Sequence, residues 1–321
     1  MHSFEQLSNI FSEKFKVQHF PDQPASLYQP NEYFLSLPGK RIRPVLCLMG
    51  NELFDDINTD AWQVALAIEL FHNFTLIHDD IMDKAPLRRG MPTVHSKFGE
   101  STALLAGDVM FVFAYDYLNR IHSSYLHRVI DVFNEMAKKV CEGQQLDMDF
   151  EKIPEVSFPE YLNMIELKTS VLLAASLKLG AILGGATNGN QELLYNFGKK
   201  LGIAFQIQDD YLDAFGDPEK FGKQSGGDIK MNKKTFLLVH ALQSCSPAQK
   251  RELIKLMKEE SDDKPKKVIQ LLRECKVDEW TLELKTKYFN DALADLEEVA
   301  VLSRRKQSLK ELAEFLVQRE Y

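Results

Sequence analysis

The sequence predicts an all-α protein made of about ten or more helices. Along most of the chain, apolar residues recur with the three-to-four-residue period of helices. Alternating runs of β-branched residues between tight turns, which would indicate strands, are scarce. Hydrophobic residues make up 45% of the 321 positions and charged residues 27%, which is typical of a globular chain with a substantial core.

Six segments in the middle of the chain have broad apolar faces and are predicted to be helices. Several of them lack a clear polar side, as expected of helices that are buried inside a bundle. Clusters of proline and glycine separate them. The predicted helices are Ala61–Leu76, Thr102–Leu118, Val129–Val140, Tyr161–Leu183, Gln191–Phe215 and Thr235–Gln243.

The composition changes after Ser244, where charged amphipathic helices are predicted. They cover Ala248–Glu260, Lys264–Cys275 and Lys287–Arg304. Such helices have one solvated face, so we expect residues from about 245 to 321 to cover the core. No internal repeat divides the chain. We therefore predict a single domain over residues 1–321.

The bulk properties exclude several classes of protein. A formal net charge of −8 without a basic stripe argues against a nucleic-acid partner. The first residues do not form a secretory signal, and Lys178 interrupts the longest apolar stretch, so no transmembrane segment is expected. Four scattered cysteines indicate reduced thiols in a cytoplasmic protein. They are Cys47, Cys141, Cys245 and Cys275.

Two groups of aspartates end helical stretches that are otherwise apolar. At about 100° per residue, the three carboxylates of each group share one face of the helix. Like charges on an apolar face repel one another and lose hydration, so each group requires a cation. Hard oxygen ligands suit Mg²⁺, which also binds water and phosphate oxygens. The groups, which together predict magnesium and a diphosphate, are Asp79, Asp80 and Asp83, and Asp209, Asp210 and Asp213.

Cationic residues accompany the first aspartate group. One imidazole lies two turns before it, about 20° around the same helix. Two adjacent guanidinium groups follow it, and a Pro-bounded loop upstream has more cations that suit phosphate oxygens. Taken alone, each cluster fits a solvated surface turn equally well. The residues are His72, then Arg88 and Arg89, and Lys40 and Arg43.

The second aspartate group has its own polar neighbours. An amide side chain lies about 60° from Asp209 on the same helical face, and a Gly-rich loop with a lysine follows, then a second lysine. A Lys-Thr pair also interrupts an apolar helix, where the ammonium group needs an anionic partner or, as the alternative, snorkels to solvent. These residues are Gln206, Lys223, Lys233, Lys168 and Thr169.

Taken together and in their order along the chain, these motifs resemble those of trans-isoprenyl diphosphate synthases of the polyprenyl synthetase family. The resemblance extends from Gly39 to at least Thr235. The resemblance implies an isoprenoid-synthase bundle around a central active-site cavity. It also implies a homodimeric transferase that condenses isopentenyl diphosphate with an allylic diphosphate. Three Mg²⁺ ions are expected with substrate bound. One departure is Pro38, where the family often has a second glycine.

The resemblance also implies a role for each site residue. Asp79, Asp80 and Asp83 would bind two Mg²⁺ ions, and Asp209, with Asp210 and Asp213 nearby, would bind a third. Two further sets would bind the substrates. The set for the allylic diphosphate is Arg88, Lys168, Thr169, Gln206, Lys223 and Lys233, and the set for isopentenyl diphosphate is Lys40, Arg43, His72 and Arg89.

The length of the product depends on residues just before Asp79. In the family, an aromatic residue at the position of Phe74 is typical of short-to-medium products, and it implies geranylgeranyl diphosphate. Helical spacing favours Thr75 instead, because Thr75 lies about 40° from Asp79 and Phe74 about 140°. Core packing is a further alternative for Phe74.

Other functions fit parts of the pattern. Synthases of farnesyl or longer polyprenyl diphosphates are the nearest alternatives. A terpene cyclase shares the metal-binding aspartates but usually lacks a second diphosphate pocket. A regulatory synthase subunit tends to lose one aspartate group, whereas both are present in this chain.

Overall fold

The computed structural model describes residues 1–153, 155–216 and 226–318. Nearly all elements in these ranges are helices, with a single short antiparallel hairpin, which confirms the all-α prediction. The first helices are α1 (Phe4–Phe15), α2 (Ala25–Leu35), α3 (Ile42–Glu52), α4 (Thr59–Met82), α5 (Val94–Phe98), α6 (Glu100–Leu118), α7 (Ser123–Lys152) and α8 (Phe158–Ile165). The hairpin strands, between α4 and α5, are β1 (Leu87–Arg88) and β2 (Met91–Pro92).

The later helices follow a short π-helical turn, Glu166–Ser170. They are α9 (Val171–Leu183), α10 (Asn188–Phe215), α11 (Gly227–Lys230), α12 (Phe236–Ser244), α13 (Pro247–Met257), α14 (Lys264–Glu274), α15 (Val277–Glu298) and α16 (Ser303–Gln318). The sequence predicted one helix over Tyr161–Leu183, and this prediction is wrong at the π-helical turn, which separates α8 from α9.

Two N-terminal helices, α1 and α2, were not predicted. A local signal for α1 exists, because Ser3 accepts a hydrogen bond from the Gln6 amide and the Gln6 side chain accepts one from the Ser3 amide. This reciprocal capping box fixes the first turn of a helix. The pattern of Ser followed three residues later by Gln therefore predicts where α1 starts.

The C-terminal helices differ from the prediction at one boundary. The predicted helix Lys287–Arg304 is wrong, because α15 ends at Glu298 and a short connection precedes α16. Residues 299–302 of this connection are Val, Ala, Val and Leu, so no glycine or proline marks the end of α15 in the sequence. These helices also bury apolar side chains, among them Leu253, Leu272 and Val277.

Contacts within the chain define two compact units. The first unit comprises Met1–Glu135, Ala175–Leu194 and Ala300–Ser308. In it, α4 packs against α3 and α6. The unit is filled by large, fully buried side chains. These include Phe11, Phe34, Leu48, Phe71 and Phe133.

The second unit comprises Met136–Ala174, Tyr195–Val299 and the residues from Leu309. One of its apolar clusters joins α8 to α10 and α12, through residues such as Tyr161, Ile207 and Phe236. Another joins α12 to α13 and α14, through residues such as Leu237 and Leu272. The prediction of a single domain stays a prediction.

Two features concern the predictions about cysteines and membrane segments. A disulfide joins Cys245 to Cys275, so the expectation of four reduced thiols is wrong for this pair. The spacing of these residues, 30 positions apart, gave no sign of it. Within the described ranges, no helix combines the length and the apolar character that a membrane span requires.

Candidate active site

The first aspartate group lies at the C-terminal end of α4. Asn58 caps the start of this helix by accepting a hydrogen bond from the Ala61 amide, and Asp83 is the residue that ends it. Asp80 is buried. The C-terminal end of a helix has a partial negative charge, which disfavours carboxylates there. This end of α4 is therefore suited to a cation.

Arg88 forms a fork with the buried carboxylate of Asp80. Arg88 Nε lies 2.8 Å from Asp80 Oδ1 and 2.9 Å from Oδ2, and Arg88 Nη2 lies 2.8 Å from Oδ1. Burial nevertheless raises the pKa of Asp80, although Arg88 opposes this shift. The sequence predicted that Arg88 binds phosphate. In this structure the guanidinium group binds one of the predicted metal ligands, and its role in binding phosphate stays a prediction.

A tight hairpin fixes Arg88 and Arg89. Leu87 pairs with Pro92 and Arg88 pairs with Met91. The two residues between the strands, Arg89 and Gly90, have φ values of 54° and 77°. Positive φ at both positions is the signature of a type I′ turn. The turn therefore sets the direction of both arginines.

A partly buried basic pair, Arg43 and His72, lies in the first unit. Arg43 Nη1 donates to His72 Nε2 at 3.2 Å, which leaves the imidazole proton on Nδ1. Burial lowers the pKa of Arg43 to about 10. Its Nε is buried and makes no hydrogen bond with the part of the chain that the structure describes. A buried guanidinium N–H without an acceptor is costly, so this position is suited to an anionic ligand.

Burial also places the pKa of His72 well below its usual value, and the positive charge of Arg43 adds to this effect. We expect the free energy of unfolding to fall as the pH drops below about 6.5. At such pH values His72 is protonated in the unfolded chain but stays neutral in the folded chain, because folding lowers its pKa. His72→Gln should flatten this slope between about pH 7 and pH 5. Urea titrations at both pH values measure it.

His122→Gln removes an exposed histidine and is the matched control. Its unfolding free energy should keep the wild-type dependence on pH. Equal slopes for wild type and His72→Gln would contradict the prediction.

The loop before α3 approaches Arg89 closely. A Cβ atom built on Gly39 would lie 3.2 Å from Arg89 Nη1, closer than most such contacts. Arg41, between Lys40 and Arg43, has a left-handed backbone with φ 51°. The structure therefore brings together three residues that were predicted to bind isopentenyl diphosphate, and Gly39 lies beside them. The three are Arg43, His72 and Arg89. Lys40 is exposed in the same loop.

The second aspartate group lies near the C-terminal end of α10, in the second unit. Asp210 is buried and accepts hydrogen bonds from Gln206 Nε2 at 2.8 Å, the Phe236 amide at 3.3 Å and the Tyr161 hydroxyl at 3.4 Å. Burial raises the pKa of Asp210 to about 7. Gln206 was predicted to bind phosphate, and in this structure it orients Asp210.

Asp213 accepts two hydrogen bonds from backbone amides at the start of α11. Its Oδ2 accepts a hydrogen bond from the Asp228 amide at 3.0 Å, and its carbonyl oxygen accepts one from the Gly226 amide at 2.6 Å. Lys233 Nζ lies 3.8 Å from Asp228 Oδ1. Lys223 lies outside the described residues.

Lys168 and Thr169 lie in the π-helical turn, a distortion that often marks functional positions. Lys168 Nζ donates to Asp147 Oδ2 at 2.5 Å, which supplies the anionic partner that the sequence requires. Sequence reasoning missed Asp147. A Cβ atom on Gly143 would lie 2.3 Å from the Lys168 amide nitrogen. Gly143, one helical turn before Asp147, was the available signal, because only glycine permits this approach of two backbones.

Phe74 belongs to an aromatic cluster between α4 and α6. Its ring stacks on Phe111, with centroids 4.9 Å apart and an interplanar angle of 13°. It also contacts Phe71, at 5.6 Å, and His78, at 4.8 Å. Thr75 donates its hydroxyl to the His72 carbonyl oxygen at 2.8 Å. The polar group of Thr75 is thus bonded to its own helix, whereas Phe74 forms part of an aromatic wall.

The donor set fits magnesium bound together with a phosphate ligand. Among the described residues, no three His, Cys, Asp or Glu side chains converge on one point. Mg²⁺ commonly takes one or two carboxylates and completes its shell with water and phosphate oxygens. The raised pKa values of Asp80 and Asp210 reflect buried carboxylates whose negative charge a divalent cation would stabilise.

The polyprenyl synthetase family profile matches residues 24–275. A short chain isoprenyl diphosphate synthase of Methanocaldococcus jannaschii is 39% identical and covers 80% of this chain and 80% of its own length. A geranylgeranyl diphosphate synthase of Methanosarcina mazei is 36% identical over 93% of this chain and 91% of its own. A geranylfarnesyl diphosphate synthase of Natronomonas pharaonis is 34% identical over 99% and 96% of the two chains.

A crystal structure of a geranylgeranyl pyrophosphate synthase superposes with a TM-score of 0.95 at 41% identity and covers all of both chains. The fold, the order of the motifs and the extent of the family match agree. The chain belongs to the polyprenyl synthetase family and is a prenyltransferase.

Proposed function

We propose that this protein condenses isopentenyl diphosphate with an allylic diphosphate and that its main product is geranylgeranyl diphosphate. The observation that carries the proposal is the partly buried Arg43–His72 pair, in which the buried Arg43 Nε makes no hydrogen bond to a described residue. This pair offers a diphosphate pocket in addition to the aspartate-rich end of α4. An enzyme that only ionises one diphosphate needs a single pocket, whereas a condensing enzyme needs two.

The site residues are proposed to act in three sets. Isopentenyl diphosphate binds to Lys40, Arg43, His72 and Arg89. The allylic diphosphate binds to Arg88, Lys168, Thr169, Gln206, Lys223 and Lys233. Mg²⁺ binds to Asp79, Asp80 and Asp83, and to Asp209, Asp210 and Asp213. The family resemblance implies that both aspartate groups act on one diphosphate through three ions. This arrangement stays a prediction.

When bound, Mg²⁺ would offset the negative charge that develops on the leaving diphosphate. The chain's own residues then perform binding and orientation. Arg43 donates in a planar fork, and neutral His72 donates from Nδ1, so the pair holds an anion without a proton transfer. Arg88 is held by Asp80 in the same region. Binding of a cation by Asp80 would release Arg88 for phosphate.

The proposed product length depends on the aromatic cluster around Phe74. An apolar product chain must lie along apolar side chains, and the stacked rings of Phe74 and Phe111 form a rigid wall within the first unit. The relatives include both geranylgeranyl and geranylfarnesyl synthases, so the product needs a direct measurement.

The purified protein should be incubated with Mg²⁺, labelled isopentenyl diphosphate and, separately, dimethylallyl, geranyl and farnesyl diphosphate. After removal of the diphosphate, chromatography sizes the prenyl alcohols. A dominant C20 alcohol supports the proposal. A dominant C15 alcohol would indicate a farnesyl diphosphate synthase, and a longer alcohol would indicate a longer-chain synthase. Cyclic hydrocarbons would indicate a terpene cyclase. The absence of any product would indicate a regulatory subunit.

Phe74→Ala should lengthen the products by at least one isoprene unit, because it removes one of two stacked rings and opens space beside Phe111. Product sizing after incubation with farnesyl diphosphate measures this. Phe113→Ala is the matched control, since Phe113 packs against Phe20 and Tyr28. It should leave the product unchanged. An unchanged product from Phe74→Ala would remove Phe74 from this role.

We also propose a homodimer. On α6, the side chains of Leu104, Leu105 and Val112 are about half exposed, an apolar surface that a second copy would cover. Light scattering after size-exclusion chromatography measures the mass. The cytoplasmic location expected from the sequence stays a prediction.

A further inference from the structure

A buried ion pair lies where the loop that carries Lys40 joins the first turn of α3, which carries Arg43. Arg41 Nη1 bonds to Glu69 Oε1, and the two side chains are only 9% and 3% exposed. Arg41 Nη2 also donates to the Leu35 carbonyl oxygen at 3.3 Å, and the guanidinium lies over the Phe15 ring at 4.7 Å. Sequence reasoning assigned no role to either member of this pair.

Asn73 completes the arrangement on α4. Its Nδ2 donates to Glu69 Oε1 at 3.0 Å and to the Glu69 carbonyl oxygen at 2.7 Å. Asn73 is fully buried. Glu69 is thus fixed by a neighbour on its own helix. A carboxylate held in this way is a rigid acceptor for the guanidinium group.

The pair coincides with an unusual backbone. Arg41 has φ 51° and ψ 31°, and its carbonyl oxygen accepts the Val45 amide at 3.2 Å at the start of α3. A left-handed conformation is unfavourable for a residue with a side chain and persists where surrounding contacts hold it. This one residue therefore sets the angle between Lys40, before it, and Arg43, after it.

Glu69 also faces the other arginines of the pocket. Its negative charge raises the pKa of Arg43 and of Arg89, opposing the effect of burial on both. His72, the contact of Arg43, lies one turn after Glu69 on α4. One buried carboxylate thus pairs directly with Arg41 and also favours the charged forms of Arg43 and Arg89.

We infer that Arg41 and Glu69 are positioning residues for the isopentenyl diphosphate pocket: their buried pair, supported by Asn73, holds the left-handed turn that directs Lys40 and Arg43 toward one diphosphate. The inference rests on the proposed function, because it takes Lys40 and Arg43 as ligands of that substrate. Arg41 itself faces Glu69 and Leu35, and it acts through its neighbours.

The test is the double variant Arg41→Met/Glu69→Gln, which removes both charges of the pair, so that neither member is left as a buried ion without the other. Its KM for isopentenyl diphosphate should rise about 10- to 100-fold, while its KM for the allylic diphosphate changes less than about threefold. A role in folding alone would lower the amount of active enzyme without separating the two KM values. The matched control is Lys178→Met/Glu192→Gln, which removes another ion pair of the first unit and should change neither KM.

Arg41→Lys keeps the positive charge but loses the fork to Glu69 and Leu35, and it decides the question if the double variant does not fold. We expect its KM for isopentenyl diphosphate alone to rise, about 3- to 10-fold. An unchanged KM for isopentenyl diphosphate in a folded variant would overturn the inference, as would equal increases for both substrates. The wild-type protein is assayed before any variant. If it forms no prenyl diphosphate, the proposed function is wrong, and this failure is distinguished from a failure of the inference about Arg41 and Glu69.

Discussion

Asp79→Ala should lower kcat/KM by about a thousandfold, equivalent to roughly 4 kcal/mol of transition-state stabilisation. Asp79 lies in the last turn of α4, where we propose that it binds Mg²⁺. Without this ligand the charge that develops on the diphosphate is poorly offset. Initial rates at saturating Mg²⁺, with labelled isopentenyl diphosphate and geranyl diphosphate, measure the loss.

The same substitution should not destabilise the metal-free fold. A carboxylate at the C-terminal end of a helix is opposed by the helix dipole, so the midpoint of thermal unfolding should stay equal or rise slightly. Asp116→Ala is the control, because it removes an exposed aspartate from α6. It should keep wild-type turnover. Near-full activity of Asp79→Ala would show that this carboxylate is not needed and would reject the proposed mechanism.

Arg43→Lys should raise the KM for isopentenyl diphosphate about 10- to 100-fold and leave kcat at saturation within about threefold. Lysine retains the charge but has no planar fork and no equivalent of Nε, the buried atom that makes no hydrogen bond within the described ranges. The KM for the allylic diphosphate should change little. Steady-state kinetics with each substrate varied in turn separate the two effects.

Arg128→Lys serves as the control for this substitution. Arg128 donates to Gln191 at 3.2 Å and belongs to the same unit, but it has no proposed ligand. Both KM values should match those of the wild type. Equal increases in both KM values for Arg43→Lys would mean that Arg43 does not distinguish the two substrates, which would contradict its assignment.

The sequence predicts the elements of this fold better than the contacts between them. Helical periodicity reports a buried apolar face, so most of the helix that carries Asp79 and Asp80 was found, as Ala61–Leu76, and so was the helix with Asp209 and Asp210. Periodicity carries no information about a single inserted residue in a turn. The π-helical turn at Lys168 was therefore predicted as regular helix.

In the candidate site too, the residues were predicted from the sequence but most of their contacts were not. The residue types and their order along the chain identify the carboxylates and the cations, because each motif is local. Their partners are mostly more distant: Arg88 binds Asp80, 8 positions away, and Lys168 binds Asp147, 21 positions away. The bond from Gln206 to Asp210 is the exception, because it spans a single helical turn. Only packing determines which of several nearby charges a side chain meets. For the same reason the Arg41–Glu69 pair could not be inferred, since its members lie 28 positions apart.

The hairpin of β1 and β2 has a consequence for how relatives of this protein are aligned. Its two-residue turn fixes the register, so inserting or deleting one residue between Leu87 and Pro92 would move an arginine to the opposite side of the ribbon. A gap placed in this segment would therefore equate arginines that point in different directions. Where a relative differs in length here, its arginines should be matched by their pairing across the ribbon, as Arg88 is matched to Met91, and not by counting along the chain.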